Sequence, residues 1–172
     1  MIKRFTRDAR EALASAVELA MQLGHPVAGP EHLLLGVYRS GGVATRVLDD
    51  LGIGEDELAR AATGGPARQA GLSDAEVAAL REVGIDADDI VRRAHEALGP
   101  APSERAGRSR LSRDVKHVLE RTVRESVRLR HKHLGTEHLL LAILVFRPEL
   151  VGHGVTHRDV ERRVLDELRR AG

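Results

Sequence analysis

Two stretches of similar sequence, GPEHLLLGV at residues 29–37 and GTEHLLLAI at residues 135–143, lie 106 residues apart in this chain of 172 residues. The same offset, extended backward, aligns residues 5–36 with residues 111–142 without a gap, and 12 of these 32 positions are identical. Identity at one fixed offset over this length indicates an internal duplication. We therefore expect two structurally equivalent halves.

Each half begins with a predicted amphipathic helix. Apolar residues recur at intervals of three and four over residues 6–23 and again over 112–129, which is the pattern of a helix with one buried face. Thr6 and Ser112 precede these helices as natural N-caps. The second helix of each half is expected to start at Glu31 or Glu137, and its apolar residues on all sides predict central burial. The hydroxyl of Thr136 is expected to cap the second of these helices.

The two halves differ after the second helix. In the first half, residues 43–51 and 55–62 predict two further short helices. In the second half, FRPELVGHGV at residues 146–155 contains a proline and two glycines, so we expect the third helix to be shortened or lost. A last helix at residues 156–168 is expected to open on a Thr156-x-x-Asp159 cap.

An insert separates the halves. Residues 72–98 predict two helices, the first opened by a Ser73-x-x-Glu76 capping box, and VGIDADDI at 83–90 resembles LGIGEDEL at 51–58 as a partial third copy. Residues 99–110 are linker-like. No segment alternates like a strand, so the predicted fold class is all-α, with duplicated four-helix repeats related by pseudo-twofold symmetry. The expected organisation is one domain, 1–172, with repeat one at 5–62, the insert at 72–98 and repeat two at 111–168.

Composition excludes several classes of function. The chain has no cysteine, so disulfides, thiolate metal sites and cysteine nucleophiles are excluded. The charged N-terminus and the lack of a long apolar run favour a cytoplasmic protein without a membrane segment. The net charge of +1 gives no bulk attraction to nucleic acid. One exception is the basic segment, residues 101–132, which contains ten Lys or Arg and four acidic residues.

The duplicated motifs resemble the Clp N-terminal domain, the repeat domain at the front of ClpC- and ClpA-type protein unfoldases. The resemblance rests on Phe5-Thr6, Ala9-Arg10, Leu23-Gly24-His25 and G-x-E-H-L-L-L-G at 29–36, together with the second copy at 111–142. The sequence has no G-x-x-x-x-G-K-[ST] phosphate loop, so it is not expected to act as the motor itself. It is similar to stand-alone ClpC-like N-domain proteins without ATPase rings, and we expect no enzyme activity.

The resemblance implies a ligand site. Members of the family bind adaptors and substrates, and ClpC-like members recognise phosphoarginine. Thr6 and Ser112 match the family positions beside the phosphate, and Glu31 and Glu137 match the carboxylates that hold the guanidinium. A helix N-terminus attracts a phosphoryl group, and a carboxylate pairs with a guanidinium. A structural interpretation is equally available, because the hydroxyls are ordinary N-caps and the acids favour a helix dipole.

Three alternatives remain at this point. Some family members bind cyclic peptide antibiotics through aromatic residues near the N-terminus, a surface that corresponds here to Ile2, Arg7, Leu111 and Arg113, so the chain could sequester such peptides. It could also act as a regulator or decoy of a full-length unfoldase. A helical nucleic-acid binder using the basic segment is the rival class, although nucleic acid is unlikely because few aromatic residues are present for stacking.

The repeated histidines admit two interpretations. His25, His32, His131 and His138 could form structural hydrogen bonds or bind a metal. No H-E-x-x-H motif accompanies them, which favours structural hydrogen bonding. We therefore expect neither a metal nor a cofactor.

Overall fold

The computed structural model describes residues 4–25, 27–64, 72, 74–98, 110–152 and 154–171. The α-helices within these residues are α1 (Arg7–Gln22), α2 (Pro30–Arg39), α3 (Val43–Asp50), α4 (Glu55–Ala62), α5 (Asp74–Glu82), α6 (Ala87–Leu98), α7 (Arg113–Arg128), α8 (Thr136–Phe146) and α9 (His157–Ala171). A 3₁₀ helix spans Pro148–Val151. Beyond two isolated bridges, the described residues contain no strand, so the all-α prediction is confirmed.

The chain forms two compact units, Met1–Ala62 with Ser109–Gly172 and, separately, Thr63–Arg108. The first unit holds both repeats, and the second contains the insert helices α5 and α6. The assignment of all 172 residues to one domain stays a prediction.

The two repeats are related by the pseudo-twofold symmetry that the duplication predicts. Phe5 forms a parallel bridge with Leu134, and Ala28 forms one with Leu111. The repeat offset converts Phe5 into Leu111 and Ala28 into Leu134, so each bridge is the image of the other. Such an exchange of partners is the geometry of an isologous interface, here between two halves of one chain.

The centre of the repeat unit is formed by α2 and α8. The three consecutive leucines of each repeated motif, Leu33–Leu35 and Leu139–Leu141, are at most 1% exposed. Helix α2 packs on α1 and α4, α8 packs on α7 and α9, and the two central helices contact each other. Their all-round apolar sequence therefore reflects contact with helices on every side.

Helix α1 approaches α2 closely because its buried face consists of alanines. Ala9, Ala12, Ala16 and Ala20 are fully or almost fully buried. A Cβ atom at Gly36 of α2 would lie 2.4 Å from the backbone oxygen of Ala12. Glycine at position 36 is thus required by a direct approach of the two backbones.

The third helix of the second repeat is reduced, as the sequence predicts. Pro148 begins the 3₁₀ helix, which ends before Gly152. The final helix α9 has the expected cap, since the backbone N–H of Thr156 donates to Asp159 Oδ2 (3.0 Å) and that of Asp159 donates to Thr156 Oγ1 (3.2 Å).

A carboxylate is buried in α7 where the first repeat has a leucine. Glu125 is 1% exposed and corresponds to Leu19. Its Oε1 accepts hydrogen bonds from Arg121, and its Oε2 accepts one from Arg128 Nε at 2.8 Å. Burial raises the pKa of Glu125, but the hydrogen bonds and charges of Arg128 and Arg121 outweigh it and hold that pKa below its usual value.

The insert unit has a turn with the same hydrogen bonds as one in the first repeat, but the isoleucine of that turn is less buried. The turn that joins α3 to α4 contains the bonds Gly52 N–H to Asp49 and Ile53 N–H to Leu48, and equivalent bonds occur at Gly84 and Ile85. However, Ile53 is 3% exposed whereas Ile85 is 37% exposed. The predicted capping residue Ser73 lies outside the described residues.

Candidate functional site

The hydroxyl caps of α1 and α7 are built alike. Thr6 Oγ1 accepts the backbone N–H of Ala9 and Ser112 Oγ accepts that of Val115, each at 3.2 Å. Both cap residues have extended backbone angles, as N-caps do. The remaining N–H groups of each first turn have no acceptor within the helix, so each tip carries the partial positive charge that attracts anions.

Each helix tip lies beside the start of the central helix of the opposite half. The backbone N–H of Thr6 donates to Leu134 O (2.9 Å), and that of Ser112 donates to Ala28 O (3.0 Å). The chain thus runs from the Thr6 contact into Glu137, and from the Ser112 contact into Glu31. The sequence predicts a tip and an acid in each lobe, whereas these backbone bonds place each tip beside the segment that leads to the acid of the opposite half.

The two acids are buried, which the sequence did not indicate. Glu31 is 7% exposed and Glu137 is 4% exposed. Both carboxylates fold back over the glycine two residues earlier, where an added Cβ would lie 2.1 Å from a carboxylate oxygen at Gly29 and 2.2 Å at Gly135. The glycine of the repeated G-x-E-H motif therefore makes room for the carboxylate.

Side chains of the protein itself already contact both carboxylates. Glu31 Oε1 lies 3.0 Å from His32 Nδ1, and its Oε2 lies 3.8 Å from Arg147 Nη1. Burial raises the pKa of Glu31, but its contacts with His32 and the backbone, together with the charge of Arg147, hold that pKa below its usual value. Glu137 Oε1 lies 3.2 Å from His133 Nε2 and 3.1 Å from His138 Nδ1. A guanidinium ligand would have to replace some of these contacts.

The repeated histidines form the same hydrogen-bonded chain in both halves. The N–H of Gly29 donates to His32 Nδ1 (3.0 Å), and His32 Nε2 lies 2.7 Å from His25 Nδ1. The equivalent distances from Gly135 to His138 and from His138 to His131 are both 2.9 Å. Since Nδ1 of His32 or His138 accepts a backbone N–H, the proton of the neutral ring is placed on Nε2 and donated to the preceding histidine.

In α8, a histidine of this hydrogen-bonded series takes the place of the hydroxyl cap that the sequence predicts at Thr136. Gly135 is the N-cap of α8, and no side-chain oxygen caps the helix. The imidazole of His138 accepts the cap residue's N–H instead. The prediction of a Thr136 cap was wrong because an imidazole three residues after the cap performs the reciprocal half of a capping box.

Acidification is expected to destabilise the protein through these histidines. Burial and the neighbouring His32 lower the pKa of His25, against the opposing charge of Glu31. In the unfolded chain His25 binds a proton near pH 6.5, whereas in the folded chain it stays neutral at that pH. The free energy of unfolding should therefore fall as pH decreases below this value. In urea denaturation from pH 7.5 to 5.5, with a chelator present, His25→Asn should show a shallower decline because asparagine keeps an acceptor and does not titrate. An identical decline in both proteins would contradict this role.

Three of the four residues of the expected peptide surface lie within the described residues. Ile2 lies outside the described residues. Leu111 is half-buried in the bridge to Ala28. Arg7 is exposed, and its Nε donates to Glu11 Oε1 at 2.7 Å. Arg113 is exposed.

The basic segment is partly neutralised within the fold. Residues 101–109 lie outside the described residues. Arg121 and Arg128 pair with Glu125, and Arg128 also pairs with Glu161. These arginines contribute to α7 and α9 rather than to a continuous cationic surface.

The fold and the duplicated tips define a class of protein, the double-repeat helical domains. In this class the segment before the first helix of each half bridges to the other half. The family model described as the Clp repeat (R) N-terminal domain matches residues 4–77 and 70–149. The chain belongs to this family. No helix among the described residues is both long and apolar enough to cross a membrane.

Similar proteins are much longer than this chain. It is 30% identical over 145 residues to the negative regulator of genetic competence ClpC/MecB of Bacillus subtilis (strain 168), covering 84% of this chain and 14% of that protein. It is 29% identical over 175 residues to a probable ATP-dependent Clp protease ATP-binding subunit of Chlamydia pneumoniae, covering 98% and 17%.

A solved structure has the same fold. The N-terminal domain of the caseinolytic protease associated chaperone ClpD from Arabidopsis thaliana matches with a TM-score of 0.56 and 20% identity, over 97% of this chain and 96% of that domain. The double-repeat architecture is therefore common to both, as the sequence predicts.

Proposed function

We propose that this chain is a non-catalytic protein- and peptide-recognition module of the Clp protease system. The observation that carries the proposal is the duplicated pair of an anion-attracting helix tip and a carboxylate, joined across the halves by the bonds Thr6–Leu134 and Ser112–Ala28. Membership of the Clp repeat family supports it, as does the similarity to a probable ATP-binding subunit of an ATP-dependent Clp protease. Its ligands would be adaptors or substrates, and it would act as a regulator or decoy when a full-length unfoldase competes for them.

Phosphoarginine is the ligand chemistry that the paired elements fit. Its phosphoryl group would bind at the N-terminus of α1 beside Thr6 or of α7 beside Ser112, where helix N–H groups favour an anion. Its guanidinium would pair with Glu137 or Glu31. Asp8 and Asp114 lie in the same first turns and reduce the attraction for phosphate.

The two sites are expected to differ in strength. At Glu31 the guanidinium of Arg147 is already present 3.8 Å away, so a ligand would compete with it. At Glu137 the neighbouring His133 is half exposed, so a ligand would displace a solvent-facing imidazole rather than a guanidinium. We therefore assign the stronger site to Thr6 and Glu137, and the weaker to Ser112 and Glu31.

Calorimetry with free phosphoarginine tests this proposal. The wild type should release heat, and Glu137→Gln should weaken binding by roughly 10- to 100-fold, since a charge-assisted contact is worth about 1.5–3 kcal/mol. Arg147→Ala should strengthen the weaker site because it removes the internal competitor. Free arginine and inorganic phosphate, titrated separately, show whether both ends of the ligand are needed.

Two outcomes would remove the phosphoarginine assignment. One is no heat from the wild type at high ligand concentration. The other is equal affinity in wild type, Glu137→Gln and the double variant Glu31→Ala/Glu137→Ala, with circular dichroism confirming that each variant is folded. The proposal would then be limited to recognition of unmodified adaptors.

No specific observation favours the other functions. Leu111 is engaged in a bridge between the halves, and Ile2 lies outside the described residues, so nothing supports a cyclic-peptide surface. Arg121 and Arg128 of the basic segment are held by acids of the fold, which argues against a nucleic-acid surface.

A further inference from the structure

The loop before α8 and the first turn of α8 together hold four groups with metal-binding chemistry. His131, His133, Glu137 and His138 each offer one ligand atom, and these atoms all lie within 4.8 Å of one another. No other group of three or more such residues occurs in the part of the chain that the structure describes. The sequence alone pointed to His131 and His138, whereas His133 and Glu137 join them only in the fold.

The spacing within the cluster is close to that of a zinc site. His131 Nδ1 and His138 Nε2 are 2.9 Å apart, and His133 Nε2 and Glu137 Oε1 are 3.2 Å apart. Two ligands bound at about 2.0–2.1 Å to one tetrahedral zinc ion are about 3.3 Å apart. Small side-chain rotations would therefore admit an ion between the two pairs.

We propose that His131, His133, Glu137 and His138 bind one divalent transition-metal ion, with zinc as the first candidate. Three imidazoles and a carboxylate are borderline and hard donors that suit Zn²⁺ and exclude soft, thiolate-selecting ions. Ion entry is open from one side because the His133 side chain is 50% exposed, and its ring stacks on that of His131 with centroids 5.3 Å apart.

Metal binding requires one proton to move within His138. In the metal-free protein, Nδ1 accepts the N–H of Gly135, and Nε2 carries the proton toward His131. When Nε2 binds the ion, its proton leaves that nitrogen and a proton is taken up at Nδ1, which ends the hydrogen bond from the Gly135 N–H. Nδ1–H then donates to Glu137 Oε1, 3.1 Å away, and the other carboxylate oxygen is left to bind the ion. The ring stays neutral, and the carboxylate orients it as in other histidine metal sites.

The first repeat provides a natural control. His25, Glu31 and His32 occupy the equivalent positions, and the same bonds join them. The position equivalent to His133 is Val27, so the first repeat lacks the third imidazole. The proposal therefore predicts one metal ion per chain, bound in the second repeat.

Zinc titration of the untagged, metal-stripped protein tests the proposal. Wild type should bind one Zn²⁺ per chain, and His133→Val, which installs the first-repeat residue, should weaken binding more than about 100-fold, because even indirect ligand contacts are worth 10- to 100-fold. Cobalt should give the visible absorption of tetrahedral N/O coordination in wild type and lose it in His133→Val. The double variant Val27→His/Arg147→Ala should gain a second ion.

The proposal is overturned if wild type binds no zinc at micromolar concentration. It is also overturned if His133→Val binds as tightly as wild type, because the zinc would then be bound by histidines elsewhere on the surface. His133 is half exposed, so its replacement should leave the fold intact, as circular dichroism would verify. This experiment needs no phosphoarginine, so its failure is distinguishable from failure of the proposed ligand function. Because both proposals use Glu137, zinc and a guanidinium would compete for that carboxylate, and the phosphoarginine titration is done with a chelator present.

Discussion

Replacing Arg121 and Arg128 together by alanine is expected to lower the free energy of unfolding by about 3–5 kcal/mol, the usual cost of leaving a buried charge unpaired. The carboxylate of Glu125 is 1% exposed and takes its hydrogen bonds from these two guanidiniums, Arg121 Nη2 at 2.6 Å and Arg128 Nη2 at 2.8 Å. Without them, burial alone would act on Glu125 and raise its pKa. Urea denaturation followed by circular dichroism measures the loss.

The pH dependence of this loss identifies its cause. A carboxyl group whose pKa is raised in the folded state destabilises the fold as pH rises above the unfolded value, so the deficit of the double variant should be larger at pH 7 than near pH 4. An equal deficit at both pH values would point instead to lost packing of the arginine side chains.

The first repeat supplies the matched control for this pair. Leu19 occupies the position equivalent to Glu125. Adding Glu125→Leu to the double variant should recover most of the lost stability, because an apolar side chain of similar size replaces a buried ion pair at little cost. Failure of this triple variant to recover would show that the arginines stabilise α7 through contacts other than Glu125.

Replacing Gly36 by alanine is expected to destabilise the protein by about 2 kcal/mol or more. Helix propensity alone predicts the opposite sign, a gain of about 1 kcal/mol for glycine to alanine within a helix. However, the new methyl group would lie 2.4 Å from Ala12 O and 3.3 Å from Ala16 N, which forces α1 and α2 apart. Thermal and urea denaturation measure the net change.

The control for this variant is the equivalent position of the second repeat. Ala142 stands there already, and Val118 and Thr122 occupy the positions equivalent to Ala12 and Ala16. Ala142→Gly should cost about 1 kcal/mol from propensity. If Gly36→Ala were instead stabilising, the close backbone approach between α1 and α2 would be contradicted.

The sequence predicts those features that depend on local signals or on the duplication. The hydroxyl caps at Thr6 and Ser112 and the cap between Thr156 and Asp159 follow from residues three or fewer positions apart. The pseudo-twofold symmetry follows from the repeat itself. Proline and glycine after α8 correctly indicate the loss of a full third helix.

Features that depend on tertiary contacts could not be predicted. The crossing of tips and acids between the halves requires backbone bonds such as Thr6 to Leu134, which no local pattern indicates. The burial of Glu31 and Glu137 depends on the absence of a side chain at Gly29 and Gly135. Periodicity places charged residues in solvent, so it gave no sign that a glutamate could replace a leucine in a buried position of α7.

The exchanged bridges also constrain how the chain can fold during synthesis. Phe5 precedes the helices of the first repeat, but its partner Leu134 follows only after the first repeat and the insert have been made. Contacts between residues so distant in sequence form late and slowly. Phe5 therefore lacks its bridge partner until translation has passed Leu134.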